Sequence, residues 1–174
     1  MSRRRGRSRV LPALLALVAV GLAAAALWMF LDLRRLQGSD ASAASARTAA
    51  RLYAAEMLSY DYRTIDRDLA RASGHATGSL VAHFRELAGT LGPQARQRKT
   101  VQQAVVVAAG VESATPDEVH VLVFVNMVTT STPPGKESPR QEISQGRARL
   151  VLVTQGDGWR VARLSTLLGD APVR

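Results

Sequence analysis

The chain has no cysteine among its 174 residues. Disulfides, thiolate metal sites and cysteine nucleophiles are therefore excluded together, and a folded domain must be held by its core alone. Lysine is nearly absent too, with only Lys99 and Lys136 among 23 basic residues. With the abundant alanine, that bias points to a GC-rich genome and carries no mechanism. Aromatic residues are few: three phenylalanines, three tyrosines and two tryptophans. No basic stripe interleaves with them, so a platform for stacking bases is missing and no nucleic-acid partner is expected. The three histidines, His75, His83 and His120, have no HExxH or other ligand spacing. No metal and no cofactor are expected.

What is present is concentrated at the N-terminus. The formal net charge is +9, and Arg3, Arg4, Arg5, Arg7 and Arg9 supply more than half of it. The high isoelectric point is thus largely a topology signal. Directly behind these arginines, Val10 to Leu31 reads VLPALLALVAVGLAAAALWMFL without one charge. At about 1.5 Å per residue such a helix is about 33 Å long, enough to cross a hydrocarbon core of about 30 Å. Basic flanks stay on the cytoplasmic side, so residues 1–9 are expected inside and everything after Leu31 outside the cytoplasmic membrane. A cleaved signal peptide is the rival reading, with Ala24-Ala25-Ala26 as its small-residue site. The run nevertheless continues through Leu27, Trp28, Met29, Phe30 and Leu31, and Trp28 suits the outer interface. A buried helix of a soluble protein is the third reading.

The expected organisation is a basic tail (1–9), a transmembrane helix (10–31), a helical linker (32–45), an extracytoplasmic domain (46–168) and a C-terminal tail (169–174). Gly38-Ser39-Asp40 is a plausible helix break, and the spacing of Ala46, Ala49, Ala50, Tyr53, Ala54, Met57 and Leu58 predicts a helix over 42–58. That helix either starts afresh or continues the membrane helix after a kink. Ser59 to Tyr62 reads as a turn. A short helix over 63–72 carries Ile65 and Leu69. A third, over 77–91, presents Leu80, Val81, Phe84, Leu87, Ala88 and Leu91, with Thr77 as N-cap and Gly92-Pro93 as its end.

Four strands follow, at 101–111, 118–130, 142–154 and 158–167, with a tight hairpin turn at Gln155 to Gly158. In EVHVLVFVNMVTT, Val119, Val121, Val123, Val125 and Met127 line one face, and His120, Leu122, Phe124, Asn126 and Val128 the other. Both faces are apolar at mid-strand, which predicts a central strand covered on both sides. Phe124 then belongs to a buried face, and Phe124→Ala is expected to cost about 3–5 kcal/mol. Helices followed by consecutive strands define an α+β class, with about three helices packed on a four-stranded curved antiparallel sheet.

Four segments together resemble a known family. They are the N-terminal span, LSYDYRTIDRDLARASGHATGSLVAHF at 58–84, and the strands EVHVLVFVNMVTT and RLVLVTQGDGWRVARLSTL. The chain resembles, from about residue 10 to 168, the Mce-associated membrane proteins of actinobacteria, Mce standing for mammalian cell entry. The resemblance implies a cone-shaped, nuclear-transport-factor-2-like extracytoplasmic domain, a shape shared with membrane-anchored scaffold subunits of type IV secretion machines. It also implies an accessory role in Mce lipid-import complexes, with Mce subunits as partners and lipid as a further ligand.

Candidate chemistry is sparse. Asp61, Asp66 and Asp68 near Tyr60 and Tyr62 suit either a general acid or base at a pocket mouth or, the favoured reading, helix capping by Asp61 and local ion pairs with Arg63, Arg67 and Arg71. If the second face of EVHVLVFVNMVTT lines a cone cavity, His120, Phe124 and Asn126 join Tyr60 and Tyr62 as ligand-binding residues. Arg147, Arg149 and Arg163 form either a solvated face or a contact surface for an acidic partner or anionic lipid. Trp159 is expected in the core beside Val161. No catalytic residue is assigned and no enzymatic activity is expected. The main expectation is a membrane-anchored scaffold. A ligand-binding cone and a cyclase- or isomerase-like enzyme are the alternatives: an open apolar pocket favours the former, a polar dyad inside a pocket the latter.

Overall fold

The computed structural model describes residues 7–135 and 138–167, with side chains described over 21–30, 38–135 and 138–166. The two expected tails lie wholly or largely outside the described residues. The expected span is helical throughout, with its side chains described only over 21–30. Among the described residues, no helix is long and apolar enough to cross a membrane. The chain divides into two compact units, Met1–Ser39 and Asp40–Arg174. In the first unit, residues 21–30 are exposed, with Leu22, Leu27, Trp28 and Met29 among them.

Helix α1 runs Arg7–Met57 and includes Gly38, Ser39 and Asp40, where a break was expected. One glycine costs about 1 kcal/mol against alanine, and the surrounding alanines, leucines and arginines are strong helix formers. In the second unit α1 buries Ala46, Ala50, Ala54 and Met57, a stripe at helical spacing whose three alanines have no exposed surface. Residue 42 onward thus packs as its periodicity requires.

A two-residue strand, β1 (Tyr60–Asp61), follows where a turn was expected. The sheet therefore has five strands and not four. A two-residue strand has no periodicity to read, and its existence depends on pairing Tyr60 with Gln102 and Asp61 with Val101 of a strand some forty residues later. Helix α2 (Ile65–Gly74) buries Ile65, Leu69 and Ala72. Helix α3 (Ser79–Arg98) buries Leu80, Phe84, Gly92 and Ala95. It passes through Gly92-Pro93, the expected stop, and ends a turn and a half later at Lys99, in the left-handed region at φ 48°. The turn is held by Thr100 N–H donating to the Ala95 carbonyl at 2.9 Å. Gly78, at φ 61°, takes the N-cap position expected for Thr77, and no side chain caps the helix.

Strands β2 (Val101–Ala114), β3 (Glu118–Ser131), β4 (Arg140–Gln155) and β5 (Gly158–Leu167) complete a sheet of order β1-β2-β3-β4-β5, antiparallel throughout. The hairpin turn before β5 is as expected, with Gly156 at φ 59°. Register shifts in β2 between Val106 and Ala108 and between Val111 and Ser113, and in the β4–β5 pair, bend the sheet.

The helices cover one face only. Val119, Val121, Val123 and Val125 of β3 are buried there with Ala148, Leu150 and Leu152 of β4 and Val161 of β5. The opposite face of β3 is open: Phe124 is 45% exposed. The expectation of a doubly covered strand is therefore wrong, because among the described residues no second layer exists to bury His120, Leu122, Phe124, Asn126 and Val128. An antiparallel sheet tolerates this arrangement. Phe124→Ala is accordingly expected to cost no more than about 1 kcal/mol, close to the surface-substitution range. Thermal denaturation of the variant, run beside the wild type, checks it; a loss of several kcal/mol would mean that something covers the face.

Hydrogen bonds close the ends of the second unit. Ser42 Oγ donates to the Pro116 carbonyl at 3.1 Å, and Trp159 Nε1 donates to Ser45 Oγ at 3.0 Å. Trp159 is half-buried against the core beside buried Val161, and its indole pins β5 to α1. At the sheet's outer edge, where β1 stops, α1 and the residues just behind it take over. The Ala104 N–H donates to Ser59 Oγ at 2.9 Å, and Arg51 donates to the Val106 carbonyl at 3.3 Å. Capping an edge in this way blocks unwanted strand pairing.

Candidate functional site

The expected ligand-binding residues do not converge. Tyr60 lies on the helix side of β1, in an open cleft of about 360 Å³ lined by Glu56, Ser59, Asp61, Asp68, Arg71 and Val101 to Ala104. Tyr62 is half-buried beside this cleft. Its backbone N–H donates to the Thr100 carbonyl at 3.0 Å, and Arg63 lies 5.3 Å above its ring. His120, Phe124 and Asn126 sit on the opposite, open face of the sheet. They do not line a cone cavity. On the inner face, the slot between Leu58, Val125, Met127, Gly146 and Ala148 measures about 10 Å³, at the lower limit for one water. A slot of that size has no room for a lipid chain.

In the cleft every carboxylate is engaged. Asp61 is not a helix cap, since Thr64 occupies the N-cap position of α2. Its carboxylate instead accepts the Arg63 backbone N–H at 2.9 Å and the Arg63 guanidinium at 3.0 and 2.8 Å. The guanidinium hydrogen bonds, then the backbone one, hold the Asp61 pKa below its ordinary value. Asp68 turns back over the start of α2, accepting from the Asp61 N–H at 3.1 Å and Thr64 Oγ1 at 2.7 Å, with Arg71 at 3.4 Å. Asp66 pairs with Arg96 of α3. Two of the expected local ion pairs are present, Asp61–Arg63 and Asp68–Arg71, whereas Asp66 pairs with Arg96 and so joins two helices in place of the local pair expected with Arg67. Burial alone raises the Tyr60 phenol above its ordinary range.

Sequence reasoning missed the contact between Glu56 and His75. Glu56 Oε2 lies 2.7 Å from His75 Nε2, and the imidazole stacks on Tyr53 at 4.2 Å between centroids. The His75 carbonyl also accepts the Val161 N–H at 2.8 Å. Tyr53 and Glu56 are three residues apart on α1, the one legible signal; that His75 meets them is decided by the fold. The cluster joins α1, the end of α2 and β5 as a structural fastening.

On the open face, Arg149 and Arg163 line a shallow cup of about 280 Å³ with Glu112, His120, Val151 and Ser165. Arg149 donates to Glu112 at 2.6 and 2.9 Å across β3. That hydrogen bond is the first cause of a lowered Glu112 pKa. His120 Nε2 lies 2.9 Å from Glu118 Oε1. The grouping of Arg147, Arg149 and Arg163 on one face is as expected from β-strand alternation. Their company, His120 and Phe124, is not.

Asp61 and Glu112 have folded-state pKa values below their unfolded ones. Their contribution to stability is present above the ordinary carboxylate pKa of about 4 and is lost as the pH falls through the lowered values. Chemical denaturation from pH 6 down to about pH 2 is expected to show stability falling below about pH 4, and Asp61→Asn with Glu112→Gln to flatten that limb. An unchanged limb in the double variant would remove these two pairs as its cause.

Helices on one face of a bent antiparallel sheet place the chain in the α+β class expected for nuclear-transport-factor-2-like domains. Three solved structures share the fold. An IcmL-like type IV secretion system protein from Legionella pneumophila aligns with a TM-score of 0.57 and 12% identity, over 75% of this chain and 96% of its own. CagV, a VirB8 homologue from Helicobacter pylori, aligns at 0.51 and 12%, over 71% and 96%. The periplasmic domain of DotI aligns at 0.52 and 12%, over 71% and 93%. At this identity the likeness concerns the fold alone.

The chain belongs to the family described as uncharacterized protein Rv1363c/MT1408-like, which matches residues 8–164. Two Mycobacterium tuberculosis relatives, uncharacterized protein Rv1362c of strain H37Rv and MT1407 of strain CDC 1551, are each 30% identical over 141 residues. Those residues are 79% of this chain but only 62% of the length of either relative.

Proposed function

We propose that the chain is a non-enzymatic, membrane-anchored accessory scaffold of a cell-envelope complex. Residues 1–9 lie inside, residues 10–31 span the cytoplasmic membrane, and the α+β domain lies outside. The finer reading is that the complex is an Mce-type lipid importer whose subunits are the partners. The observation that carries the scaffold role is the distribution of polar groups: the carboxylates of the cleft are consumed by structural pairs, whereas among the described residues no second layer covers the other sheet face. Two proteins of the same fold are described as a type IV secretion system protein and a VirB8 homologue of such a system, which supports an assembly role without specifying the assembly. A lipid-carrying cone receives no support from a slot of about 10 Å³.

Two measurements test this. A reporter active only after export, fused behind Arg174, is expected to be active, because five arginines precede the span. Activity of a cytoplasm-only reporter at that position sinks the whole reading. Mild-detergent purification of the full chain followed by mass spectrometry is expected to recover Mce-complex subunits. Recovery of a different envelope assembly keeps the scaffold and removes the Mce assignment.

A further inference from the structure

The open sheet face is left unused by the internal packing, and its charged residues lie apart from its most exposed hydrophobes. Strand register sets Phe124 between Ala108 and Arg147, Leu122 between Gly110 and Arg149, and Val151 between His120 and Arg163. Toward β2 and the Ser131 end of β3 the exposed hydrophobes are Val105 at 62%, Phe124 at 45% and Ile143 at 72%, interspersed with the uncharged polar Gln103, Asn126 and Gln145. Toward β4 and β5 it carries guanidinium groups. Arg149 is taken by Glu112, and Glu118 by His120. Arg147 and Arg163 have no ion-pair or hydrogen-bond partner among the described residues. Val151 is only 6% exposed although it lies on this face, as expected where long side chains lie along the sheet with their charged heads outward.

Resting on the scaffold reading above, we propose that this face docks an amphipathic acidic segment of a partner protein. Its apolar side covers Val105, Phe124 and Ile143, and its carboxylates meet Arg147 and Arg163. The chemistry of the face discriminates among occupants. A wholly apolar partner would bury Arg147 beside Phe124 without a counter-charge, which is costly. A basic partner is repelled by the same guanidiniums. A second copy brings those unpaired arginines against their own kind. An acidic amphipathic segment satisfies both halves together, with the apolar contact supplying most of the affinity and the charge pairs the specificity.

The test uses the full chain in detergent micelles and two model helices of about 18 residues. Both carry the same leucine stripe, flanked by glutamates in one and by lysines in the other. The expected result is binding of the acidic helix at least about ten-fold tighter than the basic one, in line with charge-governed specificity. Arg147→Glu with Arg163→Glu should invert that preference, and Phe124→Ser should weaken both helices while the melting temperature stays near wild type. Equal binding of the two helices, no binding, or indifference to the charge reversal overturns the proposal. So does binding through Arg147 and Arg163 to vesicles of phosphatidylglycerol in place of the acidic helix, and so does self-association that Phe124→Ser abolishes. Co-purification separates this from the scaffold reading. A wild-type chain that recovers no envelope partner refutes the scaffold. A wild-type chain that recovers one, and keeps it after Arg147→Glu with Arg163→Glu, refutes only the docking face.

Discussion

Leu152→Ala is expected to lower the unfolding free energy by about 2–5 kcal/mol, the range for truncating a fully buried leucine. Leu152 pairs with Val119 on one side and Val161 on the other, and none of the three has exposed surface. The methyl groups removed leave a cavity walled by strand backbones, which hydrogen bonding to both neighbours prevents from closing. The denaturation midpoint should fall with little change in slope, since the surface exposed on unfolding is nearly the same. A loss below about 1 kcal/mol would place Leu152 outside the core.

Ala50→Glu is expected to be as severe, at about 3–5 kcal/mol, the range for leaving a buried charge unpaired. Ala50 has no exposed surface, and its buried neighbours on α1 are Ala46 and Ala54. The chain has room there for a methyl group and no more, so the added side chain meets a steric penalty as well as desolvation. Leu52, on the same helix and 56% exposed, supplies the control: Leu52→Glu should stay within about 0.5 kcal/mol. Equal effects at the two positions would show that α1 does not pack by the alanine stripe.

Much of this architecture was legible because it obeys short-range rules. The Val119 to Val125 alternation is a period-two pattern, and the structure places those four valines on the buried face. The third helix was read from its leucine and phenylalanine spacing, but its end was not. Gly92-Pro93 is a stop signal locally, and packing of Gly92 and Ala95 into the core overrides it. Strand β1 was invisible for a different reason: two residues carry no period, and only pairing with β2 makes them a strand. The Glu56–His75–Tyr53 cluster and the Arg149–Glu112 pair were equally illegible. Each joins residues from elements that no local spacing connects.

The candidate site shows the same division. That Arg147 and Arg149 share a face, and that His120, Phe124 and Asn126 share one, follows from alternation along single strands. Whether that face is a cavity wall or an outer surface depends on where the helices pack, and alternation is silent about that. The choice is energetic. The helices present small alanines and a leucine–phenylalanine stripe that fit the continuous valine and leucine rows of β3 and β4. The other face mixes its hydrophobes with arginine and histidine, whose charged and polar groups need water or a partner. By itself, the amino-acid order determined the class of the domain, its helices-then-strands sequence and the membership of the two faces of β3. Only the tertiary structure decided which face was sealed, that the inner slot was nearly filled, and that the arginines stood beside Phe124 on an open surface, because burial is a property of the whole layer and not of any one segment.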